Sequence, residues 1–243
     1  MRHDHRRTRE WVRTGTDLFL RQLDGLSDPD LALPSRLPGW SRAHLAGHLA
    51  RNAEALTRLV HWADTGVETP MYASPEQRAT EIEQSAQLPP PELRDDVRAT
   101  ARRLDQAMAT LDTPASRGAA NPWDAEVRSA KGRLIPAAEI PWMRVREVWL
   151  HAVDLGTGVT AADLPAELVD CLLDDVTGGF AGREDVPALV LTATDRARTW
   201  RVPGEDPIAV SGSAAVLAGW LVGRDDGRDL QVAGRLPTIP PWL

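Results

Sequence analysis

Two pairs of side chains in this sequence are spaced to share a ligand. His44 and His48 stand four residues apart in His44-Leu-Ala-Gly-His48, and Glu147 and His151 stand four apart in Glu147-Val-Trp-Leu-His151. On a helix that spacing puts both side chains on one face, about one turn from each other. Imidazoles and carboxylates so placed can converge on one metal ion, although the same spacing also produces ordinary helical ion pairs. The neighbouring residues favour the metal. His48 sits among Leu45, Leu49 and Leu56, and Glu147 and His151 sit among Trp142, Val145, Val148, Trp149 and Val153. His48, Glu147 and His151 are therefore expected near the interior, where a carboxylate without a partner is costly, whereas His44 also reads as a surface residue. If the two helices are neighbours, His48, Glu147 and His151 form a three-ligand site with an open fourth position, as in catalytic zinc. His44 is the competing ligand one turn earlier. Two imidazoles and one carboxylate suit Zn²⁺, Ni²⁺ or Fe²⁺.

These residues need helices to position them, and the first two-thirds of the chain reads helical. Thr8 to Leu26 carries loosely periodic apolar residues and stops at Ser27-Asp28-Pro29. Ser41 is a fit N-cap for a second helix, with Leu45, Leu49, Leu56, Leu59 and Val60 on its apolar face and Gly66 as its end. Pro89-Pro90-Pro91-Glu92 opens a third, which carries Leu93, Val97, Leu104, Met108 and Leu111. Residues 112–135 read as a long connection bordering a site. Pro136 or Pro141 opens a fourth helix, through Trp149 to a C′ glycine at Gly156. Four such helices fit an antiparallel bundle.

Past residue 160 the pattern changes. A shorter helix starts at Asp163-Leu-Pro and breaks at Thr177-Gly178-Gly179. Residues 188–192 and 199–202 read as strands, Ser213 to Val222 as a helix and Asp229 to Ala233 as a short strand. The expected architecture is α+β, with a helical bundle over 1–160 and a small α/β domain over 161–243.

Composition narrows the classes of function. The chain has 243 residues and a net charge of −7, so no global field draws it to a nucleic-acid backbone. One cysteine, Cys171, excludes an intrachain disulfide and any cysteine-built zinc or iron–sulfur site, and its neighbours suggest a small core residue. No stretch approaches the roughly 18 apolar residues of a membrane span, and the basic N-terminus leads into no apolar run, so a cytoplasmic protein is expected. His3 and His5 lie in a terminus expected to fray, and His61 has no special setting. Trp40, Trp142 and Trp149, which flank the candidate ligands, read as core before pocket wall.

The segment Leu37-Pro-Gly-Trp40-Ser-Arg-Ala-His44-Leu-Ala-Gly-His48-Leu-Ala-Arg-Asn52-Ala-Glu-Ala-Leu56 closely resembles the first motif of the mycothiol-dependent maleylpyruvate isomerases. These are members of the DinB-like superfamily of metal-binding four-helix bundles. The family's zinc-ligating histidine falls eight residues after the tryptophan, at His48 here. A second motif, a helix bearing Glu-x-x-x-His, is matched by Arg146-Glu147-Val-Trp-Leu-His151-Ala-Val-Asp154-Leu-Gly156. The resemblance spans nearly the whole chain, including a small C-terminal α/β domain. It implies a zinc or other divalent metal on His48, Glu147 and His151, and mycothiol as the thiol cofactor. It also implies an active-site arginine near the end of the C-terminal domain's helix, best matched by Arg224, with Arg228 and Arg235 as alternatives. Without the resemblance, Arg224 reads as an exposed residue complementing a helix dipole.

The implied activity is conversion of maleylpyruvate to fumarylpyruvate in gentisate-type aromatic degradation. A thiolate adds to the activated double bond, the new single bond rotates, and the thiolate leaves. The substrate is a dianion, which gives Arg224 its expected task as a bidentate carboxylate holder. Two other readings keep the metal site: a mycothiol S-transferase acting on another electrophile, and a non-catalytic zinc-binding regulator. The expected partners are small molecules, with no nucleic acid and no membrane. Oligomeric state and the residues that bind mycothiol are not legible in the sequence.

Overall fold

The computed structural model describes residues 4–112 and 121–242. The chain forms two compact units, one running to Thr157 and the other from Gly158 to Leu243.

Helices build the first unit: α1 (His5–Asp24), α2 (Arg42–Thr65), α3 (Pro75–Ala86), α4 (Pro90–Thr110) and α5 (Ile140–Asp154). Asp4 caps α1 by accepting from the Arg6 N–H at 3.0 Å. Ser41 caps α2 as expected, and Gly66 closes it at φ 74°, a conformation that glycine enters without a Cβ clash. Helix α2 packs against α3, α4 and α5, while α1 packs against α4 and α5. Going round the bundle the order is therefore α1, α4, α2, α5, with the consecutive helices α1 and α2 on a diagonal. The core between them includes Phe19, Leu23, Leu45, Leu49, Leu56, Leu59, Leu104 and Met108, each at most 1% exposed.

Two glycines permit close helix contact. A Cβ on Gly15 of α1 would meet the Trp149 Nε1 of α5 at 2.5 Å, and one on Gly47 of α2 would meet the Ser85 Cβ of α3 at 2.7 Å. Helix α3 was not foreseen. It is capped by Ser74, with Pro75 in its first turn, but it buries only Ile82 and Ser85 and so shows little apolar period.

The expected connection over 112–135 is more ordered than a loop. Its residues 113–120 lie outside the described part. The rest holds a 3₁₀ turn at Pro122–Asp124 and the hairpin strand β1 (Glu126–Arg128), which pairs with β2 (Leu134–Pro136). Val127 faces Ile135 across the hairpin, and both are buried.

In the second unit, α6 (Ala166–Phe180) precedes β3 (Leu189–Ala193), β4 (Thr199–Val202) and β5 (Ile208–Gly212). Helix α7 (Ala214–Leu221) and β6 (Gln231–Val232) complete it. The sheet order is β4-β3-β5-β6, with β3 and β5 parallel and both edge pairs antiparallel. The short apolar stretch of β5 was missed. Helix α6 also runs through Gly178-Gly179 instead of breaking there; a Cβ on Gly179 would lie 3.0 Å from the Trp242 Nε1. Helix α7 packs on β3, β5 and α6. The whole is the α+β architecture expected from the sequence. Among the described residues no helix is long and apolar enough to cross a membrane.

Candidate metal centre

Helices α2 and α5 meet along a polar stripe inside an otherwise apolar junction. From α2 come His48 and Asn52, one turn apart; from α5 come Arg144, Glu147 and His151. The i, i+4 periodicity brings each set onto the face that its helix turns to the other.

At the centre of the stripe stands Glu147. Its Oε2 lies 2.8 Å from the Nε2 of His48 and 3.1 Å from the Nε2 of His151. The two imidazole rings stand edge to face with centroids 4.9 Å apart. One donor atom from each of the three residues falls within 4.8 Å of the other two, a grouping that could hold a metal ion. The histidine side chains are 5% and 11% exposed, whereas that of Glu147 is 28% exposed, so the cluster is reachable from one side. Two imidazoles and a carboxylate are a suitable donor set for a divalent ion of intermediate softness, and the open side leaves room for another ligand.

The groups behind the cluster differ. The Nδ1 of His151 lies 2.9 Å from the Oδ2 of Asp154, which is 1% exposed. That contact fixes the ring and directs its Nε2 toward the cluster, as carboxylates do behind metal-bound histidines. Behind His48 lies the guanidinium of Arg78, whose NH2 group approaches Nδ1 at 3.3 Å. Arg78 also lies over the ring of Tyr72, 5.7 Å from its centroid. The Trp40 ring is 5.3 Å from that of His48 and edge-on to it.

Ionisation follows from these neighbours. Burial alone would raise the Glu147 carboxyl, but His48 and His151 outweigh it and hold the group well below the usual carboxylate range. Burial lowers His48, and Glu147 offsets this only in part. For His151, burial also acts downward, yet the hydrogen bonds to Asp154 and Glu147 prevail and raise it. Tyr72 is raised by burial, with Arg78 pulling the other way, so its hydroxyl keeps its proton.

One turn before Glu147, Arg144 is 1% exposed and donates from NH1 to the Leu49 carbonyl and to the Asn52 Oδ1, each at 2.8 Å. Burial lowers its pKa to about 10, so the side chain stays a cation at neutral pH. It joins α2 to α5 beside the cluster.

His44, the competing ligand, stands elsewhere. Its Nδ1 sits 2.6 Å from the Ser41 Oγ in a reciprocal cap of α2, and its Nε2 reaches Glu83 of α3 at 3.0 Å. Trp142 and Trp149 are core residues; the Trp149 Nε1 donates to the Trp11 carbonyl at 2.9 Å. Trp40 is the tryptophan that flanks a candidate ligand. His61 is exposed, and His3 lies outside the described residues. Cys171 is half-buried on α6 and not in the core, and the burial it has, together with Asp174, raises its thiol pKa. Arg224 lies in the second unit, just past the left-handed Gly223 that follows α7. Its NH1 donates to the Val222 carbonyl at 2.6 Å. Sequence reasoning missed Arg78, Tyr72 and Arg144, and quoted Asp154 without giving it a role. Of these, only Asp154 had a signal, three residues past a candidate ligand and so on the same helical face.

The match with known proteins extends past the cluster to the whole chain. Residues 12–156 match the family model for the mycothiol maleylpyruvate isomerase N-terminal domain, and residues 163–241 match the MDMPI C-terminal domain. No curated protein matches the sequence. A solved structure described as the mycothiol-dependent maleylpyruvate isomerase is 36% identical, with a TM-score of 0.89 over 99% of this chain and 98% of that one. A second, of a mutant of that isomerase with one histidine replaced by alanine, is 36% identical with a TM-score of 0.88 and the same coverage. With both domain models matched in order and this likeness along the full length, the chain belongs to the mycothiol-dependent maleylpyruvate isomerase family.

Proposed function

We propose that this protein isomerises maleylpyruvate to fumarylpyruvate, with mycothiol as the thiol cofactor and a divalent metal, zinc by preference, on His48, Glu147 and His151. The observation that carries the reading is the buried His–Glu–His cluster with one open side, in a chain of this family. Held there, the metal would supply Lewis acidity and keep a thiol as its nucleophilic thiolate near neutral pH.

The chain's own residues do the rest. Asp154 holds the Nδ1 hydrogen of His151, which leaves the Nε2 lone pair for the metal. Burial keeps His48 neutral, the state in which an imidazole can ligate. Glu147 is anionic at every pH at which the protein would work, and its charge offsets part of the metal's. The apolar junction around the three side chains limits water and strengthens local electrostatics. Arg224 is assigned to a substrate carboxylate, which its planar fork can hold through two parallel bonds. The partners are then small molecules and the setting is the cytoplasm.

The test is direct. Metal-loaded protein given mycothiol and maleylpyruvate should consume the cis enone, followed by its absorbance. Chelation should stop the loss and added metal should restore it. No turnover by protein shown to carry the metal would overturn the assignment.

A further inference from the structure

We propose that Arg78, with the Tyr72 hydroxyl beside it, binds a carboxylate of the substrate next to the metal centre. The inference rests on the isomerase reading for the identity of the substrate, but not for the anion site itself.

A guanidinium only donates, so Arg78 needs acceptors. Its NH2 stands 3.3 Å from the His48 Nδ1, and the group it meets there is an imidazole and not an anion.

No carboxylate stands in for it. Among the described residues no acidic side chain forms an ion pair with Arg78, whose neighbours are the His48 ring and the face of Tyr72. A half-buried cation beside the candidate metal cluster, with no carboxylate paired to it, is a ready receptor for an anion. Tyr72 supplies a second donor, because its raised pKa keeps the hydroxyl protonated. The substrate is a dicarboxylate, and Arg78 would meet one of its two negative charges.

Maleate is a suitable probe: a cis dicarboxylate that can be titrated without thiol or turnover. By calorimetry, metal-loaded protein should bind maleate, and Arg78→Gln should weaken that binding about ten- to a hundredfold, the loss of one charge-assisted contact. Arg78→Lys should fall between, since it keeps the charge without the fork. Metal content and thermal midpoint should match those of the parent in both variants, because Arg78 is no ligand. In turnover, the change should appear in KM more than in kcat. Equal maleate affinity in Arg78→Gln would overturn the proposal, as would loss of affinity only in proportion to lost metal. If the parent fails to isomerise maleylpyruvate yet Arg78→Gln still weakens maleate binding, the anion site stands and the isomerase reading falls.

Discussion

His48 and His151 touch the same carboxylate oxygen, yet one is backed by a cation and the other by an anion. The imidazole with Asp154 behind it is held in one orientation, and its basicity is raised. Removing such a support typically costs metal affinity about 10- to 100-fold. We therefore expect Asp154→Ala to retain the fold and lose affinity by that factor in a titration against a competing chelator. Unchanged affinity would reduce the contact to packing. The three candidate ligands were legible because metal binding demands particular side-chain types, and a helix demands particular spacings. Arg78 was not legible. Nothing near it in sequence forms a chemical pattern, and its meaning comes from a ring contributed by a helix 30 residues earlier.

At the scale of elements, legibility followed how much of each helix is buried. Helices α2 and α4 carry long apolar faces and show their period plainly. Helix α3 buries two residues, and only Ser74-Pro75 signals its start. Strand β5 escaped notice because Ile208-Ala-Val-Ser-Gly212 is short, mostly small and without clean alternation. Gly178 and Gly179, read as a break, are carried within α6, so tertiary packing overrides a weak local preference there. The junction of α2 with α5 gives an expectation of its own. Arg144→Ala would remove two hydrogen bonds, strand the Asn52 Oδ1 and open a cavity in the interior. A loss of about 3 kcal/mol in chemical denaturation is expected from such changes. A gain in stability would mean that the desolvation of the buried cation outweighs its bonds, as can happen for buried charges.

For the whole molecule, all three candidate ligands, together with Asp154 and Arg78, lie within the unit that runs to Thr157, while Arg224 belongs to the unit from Gly158. A unit of this size with its own core can fold alone. Expressed as residues 2–157, it should therefore be folded by circular dichroism and take up one metal per chain without turning over maleylpyruvate. In the full chain, Arg224→Ala should lower kcat/KM about ten- to a hundredfold with metal content unchanged. Full activity of the isolated bundle would show that the second unit contributes nothing to the reaction. The mixed architecture was readable from the change of apolar period past residue 160. The sheet order was not, because strand pairing joins residues that no local pattern relates.

The distance along the chain between the donors has a kinetic consequence. Glu147 and His151 are four residues apart and share a face as soon as α5 is helical, whereas His48 meets the same oxygen across 99 residues. Closing so long a loop has an entropic cost that local helix formation does not carry. A metal ion can be captured by two donors early in folding, but the third arrives only when α2 has docked on α5. Coordination by the three would thus be a latch set late, not a nucleus. Its free energy would fall mainly on the native side of the barrier, so removing a bound metal should quicken unfolding far more than it slows folding.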